Sequence, residues 1–224
     1  MNFLPGMGCG LRMAASAPAL ASITQVGSST SNNTPTITLP ADIDQGDLIV
    51  LLDGCFGSGS PPTAVTPADF TNRANVTFTN TIAGRLMIST KLADGDEGST
   101  SVTGMFDSGE LKACYTFRGD IPAVTLTSST FNAQGTTGNP SSQNVAASGG
   151  TAPLVVLAGY LSDSAISPRT FSPAKDGEIN HSSALYLAYK IYDASPADVT
   201  VDMDDEDSGS GGNALVSGWI EMAA

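Results

Sequence analysis

The sequence predicts an all-β protein: a single jelly-roll-like antiparallel β-sandwich of about eight strands with an internal pseudo-twofold repeat, preceded by an extended N-terminal arm. Three observations carry that prediction. The chain of 224 residues is rich in Ser, Thr, Gly (24) and Pro (13) and only 14% charged, a composition of strands and turns rather than helices. Short segments alternate apolar and polar residues, the period of half-buried strands. The order of these segments also occurs twice along the chain, which a single sandwich would explain by stacking the two copies.

Taken in order, residues 1–20 (MNFLPGMGCGLRMAASAPAL) are apolar and Gly-rich. They lack a basic leading region, and Pro5, Gly6, Gly8, Gly10 and Arg12 interrupt the apolar stretch, so they are not read as a signal peptide. They are expected to be an arm docking on a neighbouring subunit through Phe3, Leu4, Met7 and Leu11. Residues 21–224 then form the sandwich. Two short β-like pieces fall within 21–39, around a Ser/Asn/Thr turn cluster. Gly46–Leu52 (GDLIVLL) is apolar on both faces, as a buried central strand is. A Gly/Ser/Pro loop is expected over 53–67, then strands at Arg85–Ala93, STSVTGMF and Leu111–Gly119.

The second half repeats this programme, with halves of about 40–120 and 146–222. Ala152–Tyr160 (APLVVLAGY) stands where GDLIVLLDG stood, aligning Leu48 with Leu154. Ser183–Asp193 matches the Arg85 strand, aligning Leu86 with Leu185, Ile88 with Leu187, Lys91 with Lys190 and Asp94 with Asp193. PADVTVDM parallels STSVTGMF, and ALVSGWIEM parallels LKACYTFRG, placing Tyr115 against Trp219. A long Ser/Gly/Asn loop, 128–150, is expected to join the halves. Each first strand needs covering on both faces, so the copies should pack face to face.

The charge balance, 9 Lys and Arg against 22 Asp and Glu for a formal net charge of −13, argues against nucleic acid as a partner. No apolar run approaches the roughly 20 residues of a membrane helix. Cys9, Cys55 and Cys114 form no CxxC pair, and His181 is the single histidine, so a zinc site is not expected. Three reduced thiols fit assembly in a cytoplasm, with one disulfide and a leftover thiol as the alternative.

Chemistry-bearing patterns are sparse. His181 sits beside Ser182 and Ser183, but strand neighbours point to opposite faces and no GxSxG turn is present, so hydrolase chemistry is the weakest reading. Glu97, Glu110, Glu178, Glu206 and Glu221 fall in turns or strand ends and are expected to be solvated rather than paired across a cleft. No cofactor is expected. The acidic run Asp202, Asp204, Asp205 and Asp207 in a Gly-containing loop is a calcium candidate, and otherwise a solvated loop. Tyr160, Tyr186, Lys190 and Tyr192 are a candidate face for a host glycan or a partner protein, since Tyr and Lys on one exposed stripe can stack a sugar ring.

The sequence GDLIVL, a Pro-rich loop, Lys91-Leu92-Ala93, DGDEGSTSVT and then CYTFRG resembles a family of bacteriophage and phage-derived β-sandwich proteins. The likeness spans about residues 40–222; where relatives carry a GWT-like element, this chain has Pro67–Arg73 (PADFTNR) with Phe70 at the aromatic. The resemblance implies a virion role with no catalytic residues to transfer. The expectation is a surface-displayed head decoration or cement protein, assembled in the host cytoplasm and partnered by capsid or tail proteins and copies of itself. A tail-tip or fibre adhesin binding host glycans is the alternative.

Overall fold

A computed structural model describes residues 20–80, 82–103, 110–120, 124–138, 140–164, 166–205 and 211–224. Their elements are β1 (Ile23–Asn32), β2 (Thr36–Thr38), β3 (Leu48–Gly57), β4 (Thr71–Thr79), β5 (Ala83–Leu92), β6 (Ser101–Thr103) and β7 (Glu110–Gly119) in the first half. The second half holds β8 (Thr125–Thr137), β9 (Gln143–Val145), β10 (Leu154–Ser162), β11 (Ile166–Ser172), β12 (Gly177–His181), β13 (Leu185–Tyr192), β14 (Val199–Asp205) and β15 (Gly212–Ala223). The protein is all-β and antiparallel, with one 3-10 turn among the described residues, at Ala147–Gly149.

The duplication is visible in the strand orders. One main sheet runs β1-β7-β3-β5-β4 and the other β8-β15-β10-β13-β12, so each position in the first has its counterpart in the second. Each half adds a small covering sheet, β2-β6 in one and β9-β14-β11 in the other. The two main sheets enclose a common core including Leu48, Val50, Leu52, Ile88 and Phe117 from one half and Val155, Leu157, Leu187, Val216 and Ile220 from the other. Two further apolar layers lie under the covers, one around Ile49, Leu51 and Met87, the other around Val156, Tyr160 and Trp219. This is why both central strands read as apolar on both faces: each lies between two cores.

Several expectations are corrected here. Among the described residues ten strands make up the two main sheets, against about eight expected: β1, β4, β8 and β12 join the six expected central strands as edges, while the STSVTGMF and PADVTVDM segments give β6 and β14 of the covers. Each main sheet takes all its strands from one half of the chain. Residues 128–137, expected to begin the long loop, belong to β8, the longest strand among the described residues, paired with β15 along its length. Its polar residues at both faces hide the period, but an edge strand needs only its neighbour's backbone groups. Likewise β3 continues through Asp53 to Gly57 instead of ending at Leu52.

The repeat alignment is also off by one residue in two strands. Tyr115 faces the common core, whereas Trp219 faces the cover of its own sheet; Leu48 and Leu154 are split in the same way. A one-residue slip reverses every side chain, and with both faces apolar the sequence alone could not show it. Registers pair Asp53 with Met87 and Lys112, and Tyr160 with Tyr186 and Leu215, so these are the equivalent triplets. On this register Leu86 with Leu185 and Ile88 with Leu187 both stand, all four facing the common core.

Two glycines let the main sheets approach. A Cβ on Gly159 would lie 2.3 Å from Leu52 Cδ1, and one on Gly54 would lie 2.7 Å from Leu161 Cδ1. Each sheet thus receives a leucine from the other at a position without a side chain. Gly159→Val should therefore overpack the core and lower stability by about 1–3 kcal/mol, read as a lower urea midpoint with an unchanged slope.

Candidate functional site

The polar groups worth attention lie inside the first half, under its cover. Asp53 on β3 and Glu110 and Lys112 on β7 all point to the face that carries Ile49, Leu51 and Cys114, and all are at most 1% exposed. Alternation along the strands produces this: residues 49, 51, 53 and 55 share one side of β3, as 110, 112 and 114 share one side of β7. Lys112 Nζ lies 3.2 Å from Asp53 Oδ2 and contacts Glu110 Oε2. Among the described residues, Asp53 Oδ1 and Glu110 Oε1 have no hydrogen-bond partner.

Burial dominates the electrostatics of this cluster. It raises the pKa of Asp53 to about 7, although the Lys112 ammonium pulls the other way. It lowers that of Lys112, against the opposing pull of Asp53. Both shifts favour the neutral forms, carboxylic acid and amine. Three ionisable groups sharing two strands of a low-dielectric interior cannot all hold full charge at low cost.

The second half shows that the fold does not require these charges. Tyr160, Leu215 and Asn213 occupy the positions of Asp53, Lys112 and Glu110. There Tyr160 donates a hydrogen bond to Asn213 Oδ1 at 2.8 Å, and Asn213 Nδ2 donates to the Gly138 carbonyl at 3.0 Å. The neutral set is hydrogen-bonded where the charged set leaves oxygens without partners.

Sequence reasoning missed this cluster. Glu110, expected to be solvated, is buried, and so is Glu97 at 7% exposure. The available signal was Asp53 directly after an apolar run and Lys112 between Leu111 and Ala113. Without the cover over that face, the alternation looked like ordinary polar exposure.

Other acids serve as braces. Asp47 accepts from Arg118 Nε and Nη2, each at 2.8 Å, joining the start of β3 to the end of β7. Glu97 accepts from the Asp94 and Gly95 backbone N–H groups and pairs with Lys91 at 2.8 Å. Burial alone would raise the pKa of Glu97, but these donors outweigh it and bring it down to about 2. A lowered folded pKa contributes stability above the unfolded value, which is lost as pH falls through the folded one. Glu97→Gln should accordingly flatten the loss of melting temperature between about pH 4.5 and pH 2, measured by calorimetry against the wild type.

The residues singled out from the sequence are dispersed. Tyr160 and Tyr186 are buried at 0% and 1% exposure in the second covered core, so they cannot form an exposed platform for a sugar. Their alternation is a strand's, but the β9-β14-β11 sheet covers that face. Tyr186 donates to Glu178 Oε2 at 2.5 Å. Lys190 is held by Asp176 Oδ1 at 3.2 Å and lies 5.4 Å from the Tyr192 ring centroid. The glycan alternative thereby loses half of its proposed face.

Asp202, Asp204 and Asp205 lie within β14, opposite Thr170, Ser167 and Ile166, where a loop was expected. Asp207 lies outside the described residues, as do Phe3, Leu4, Met7, Leu11 and Cys9. No group of three His, Cys, Asp or Glu capable of holding a metal occurs among the described residues. Cys55 and Cys114 are buried thiols not joined by a disulfide. His181 ends β12 rather than starting the next strand, and its Nε2 lies 2.9 Å from the Ser31 carbonyl of β1. That contact bridges the two main sheets at one edge.

No helix among the described residues is long and apolar enough to cross a membrane. Comparison of the chain with protein-family models, with curated proteins and with solved structures finds no match.

Proposed function

We propose that this chain is a structural component of a bacteriophage particle, a surface-displayed head decoration or cement protein held by its N-terminal arm. The observation that carries this reading is the Asp47–Arg118 clasp. Asp47 belongs to GDLIVL and Arg118 to YTFRG, the segments on which the resemblance to phage β-sandwich proteins rests. Their side chains tie the start of β3 to the end of the neighbouring β7 at one end of the sheet, which suits a protein whose task is to persist in an assembly. The net charge of −13 keeps such a block soluble before it docks.

Its partners on this reading are other virion proteins and copies of itself. The test uses particles purified without the chain. Full-length protein should co-sediment with them at stoichiometric amounts, and protein lacking residues 1–20 should remain in the supernatant. Full-length protein that stays soluble overturns the reading; binding that persists without the arm overturns the role given to the arm.

A further inference from the structure

We propose that the first half carries an intramolecular amide cross-link, formed by the chain itself between Lys112 Nζ and the side-chain carboxyl of Asp53, with Glu110 moving the protons. The geometry is that of a reaction site. Lys112 Nζ is 3.2 Å from Asp53 Oδ2 and touches Glu110 Oε2, and all three side chains are at most 2% exposed. Neighbouring strands β3 and β7 hold nucleophile and electrophile opposite each other in register, so the encounter is already made when the sheet forms.

The chemistry balances without an outside reagent. The Lys112 ammonium gives one proton to the Glu110 carboxylate, leaving a neutral amine. The amine attacks Cγ of Asp53, present as the neutral acid, and a tetrahedral intermediate forms. Glu110 gives its proton to the departing hydroxyl and takes one from the nitrogen, so water leaves. The ammonium had already supplied the proton that started the relay, so Glu110 ends as a carboxylate once that second proton is released to solvent from the site. A new C–N bond replaces one C–O bond; nothing is oxidised or reduced. Burial assists by favouring the neutral acid and amine over the ion pair.

Two further observations point the same way. Asp53 Oδ1 and Glu110 Oε1 have no hydrogen-bond partner among the described residues, an arrangement a stable ionic network would not leave. The equivalent place in the second half, built on the same strands, holds Tyr160, Leu215 and Asn213 and none of this chemistry. The charged trio is therefore an addition to the scaffold and not a demand of it. The inference stands apart from the particle reading, since its readout is the mass of the purified chain.

Intact mass spectrometry of the full chain, denatured and reduced, should give a mass one water below that of the sequence. Peptide mapping should recover a branched product joining the segments that contain Asp53 and Lys112. Glu110→Gln, which keeps shape and removes the proton relay, should return most of the chain to full mass. Imide formation at the Asp53–Gly54 step would lose the same water, so Lys112→Met is the control and should have full mass. Wild-type protein at full mass overturns the proposal, as does a missing water that survives Lys112→Met. A branch at Glu110 instead of Asp53 overturns the assignment of the electrophile.

Discussion

Val50→Asp is expected to abolish folding. Val50 is 0% exposed in the core shared by the two main sheets, between Thr90 and Tyr115 on its neighbours. A carboxylate there would have no basic partner, and leaving one unpaired in such a site costs several kcal/mol. Domains of this kind have a total stability of about 5–15 kcal/mol, and the valine's own packing is lost as well. Val156→Asp should do the same from the other side, because Val156 is 0% exposed beneath the second cover. Both outcomes are read by circular dichroism and by recovery in the soluble fraction. A folded Val50→Asp protein would mean that the face assigned to the common core is not buried.

The second large effect is at Lys112. Lys112→Met removes the one basic side chain that meets Asp53 and Glu110 among the described residues and leaves two carboxyls facing each other in the interior. The expected loss is about 3–5 kcal/mol, seen as a lower urea midpoint. The rescue is specific: Asp53→Tyr, Glu110→Asn and Lys112→Leu together install the residue types of the second half at the same register. That triple variant should recover most of the stability, because Tyr160 and Asn213 already satisfy each other there at 2.8 Å. Lys112→Met as stable as the wild type would show that the cluster contributes nothing to holding β3 and β7 together.

The duplication was legible because apolar runs and turn residues recur in the same order, and the strand orders of the two main sheets repeat it. Faces were less legible. Leu48, Val50, Ile49 and Leu51 are all buried, so nothing in the composition of β3 distinguishes the side facing the other half from the side facing β2-β6. That ambiguity produced the slip that set Tyr115 against Trp219. It also left Tyr160 and Tyr186 looking like an exposed stripe, since a half-covered strand and a fully covered one share the same alternation. The candidate site was hidden for the complementary reason. Polar residues on alternate positions of β7 normally mean solvent, whereas Glu110 and Lys112 are interior.

Both halves unfolding as one unit is the claim on which the rest depends, and the chain carries its own reporters for it. Trp219, the single tryptophan, lies in the second half under its cover. Cys55 and Cys114 lie in the first half, buried under the other cover, with burial pushing the Cys114 thiol up to about 12. A urea titration should follow Trp219 fluorescence alongside peptide-resolved thiol labelling of Cys55 and Cys114. One shared midpoint and slope is the expected result, as for a two-state domain with a common core. Separate midpoints, with one half labelled while Trp219 keeps its native emission, would contradict it.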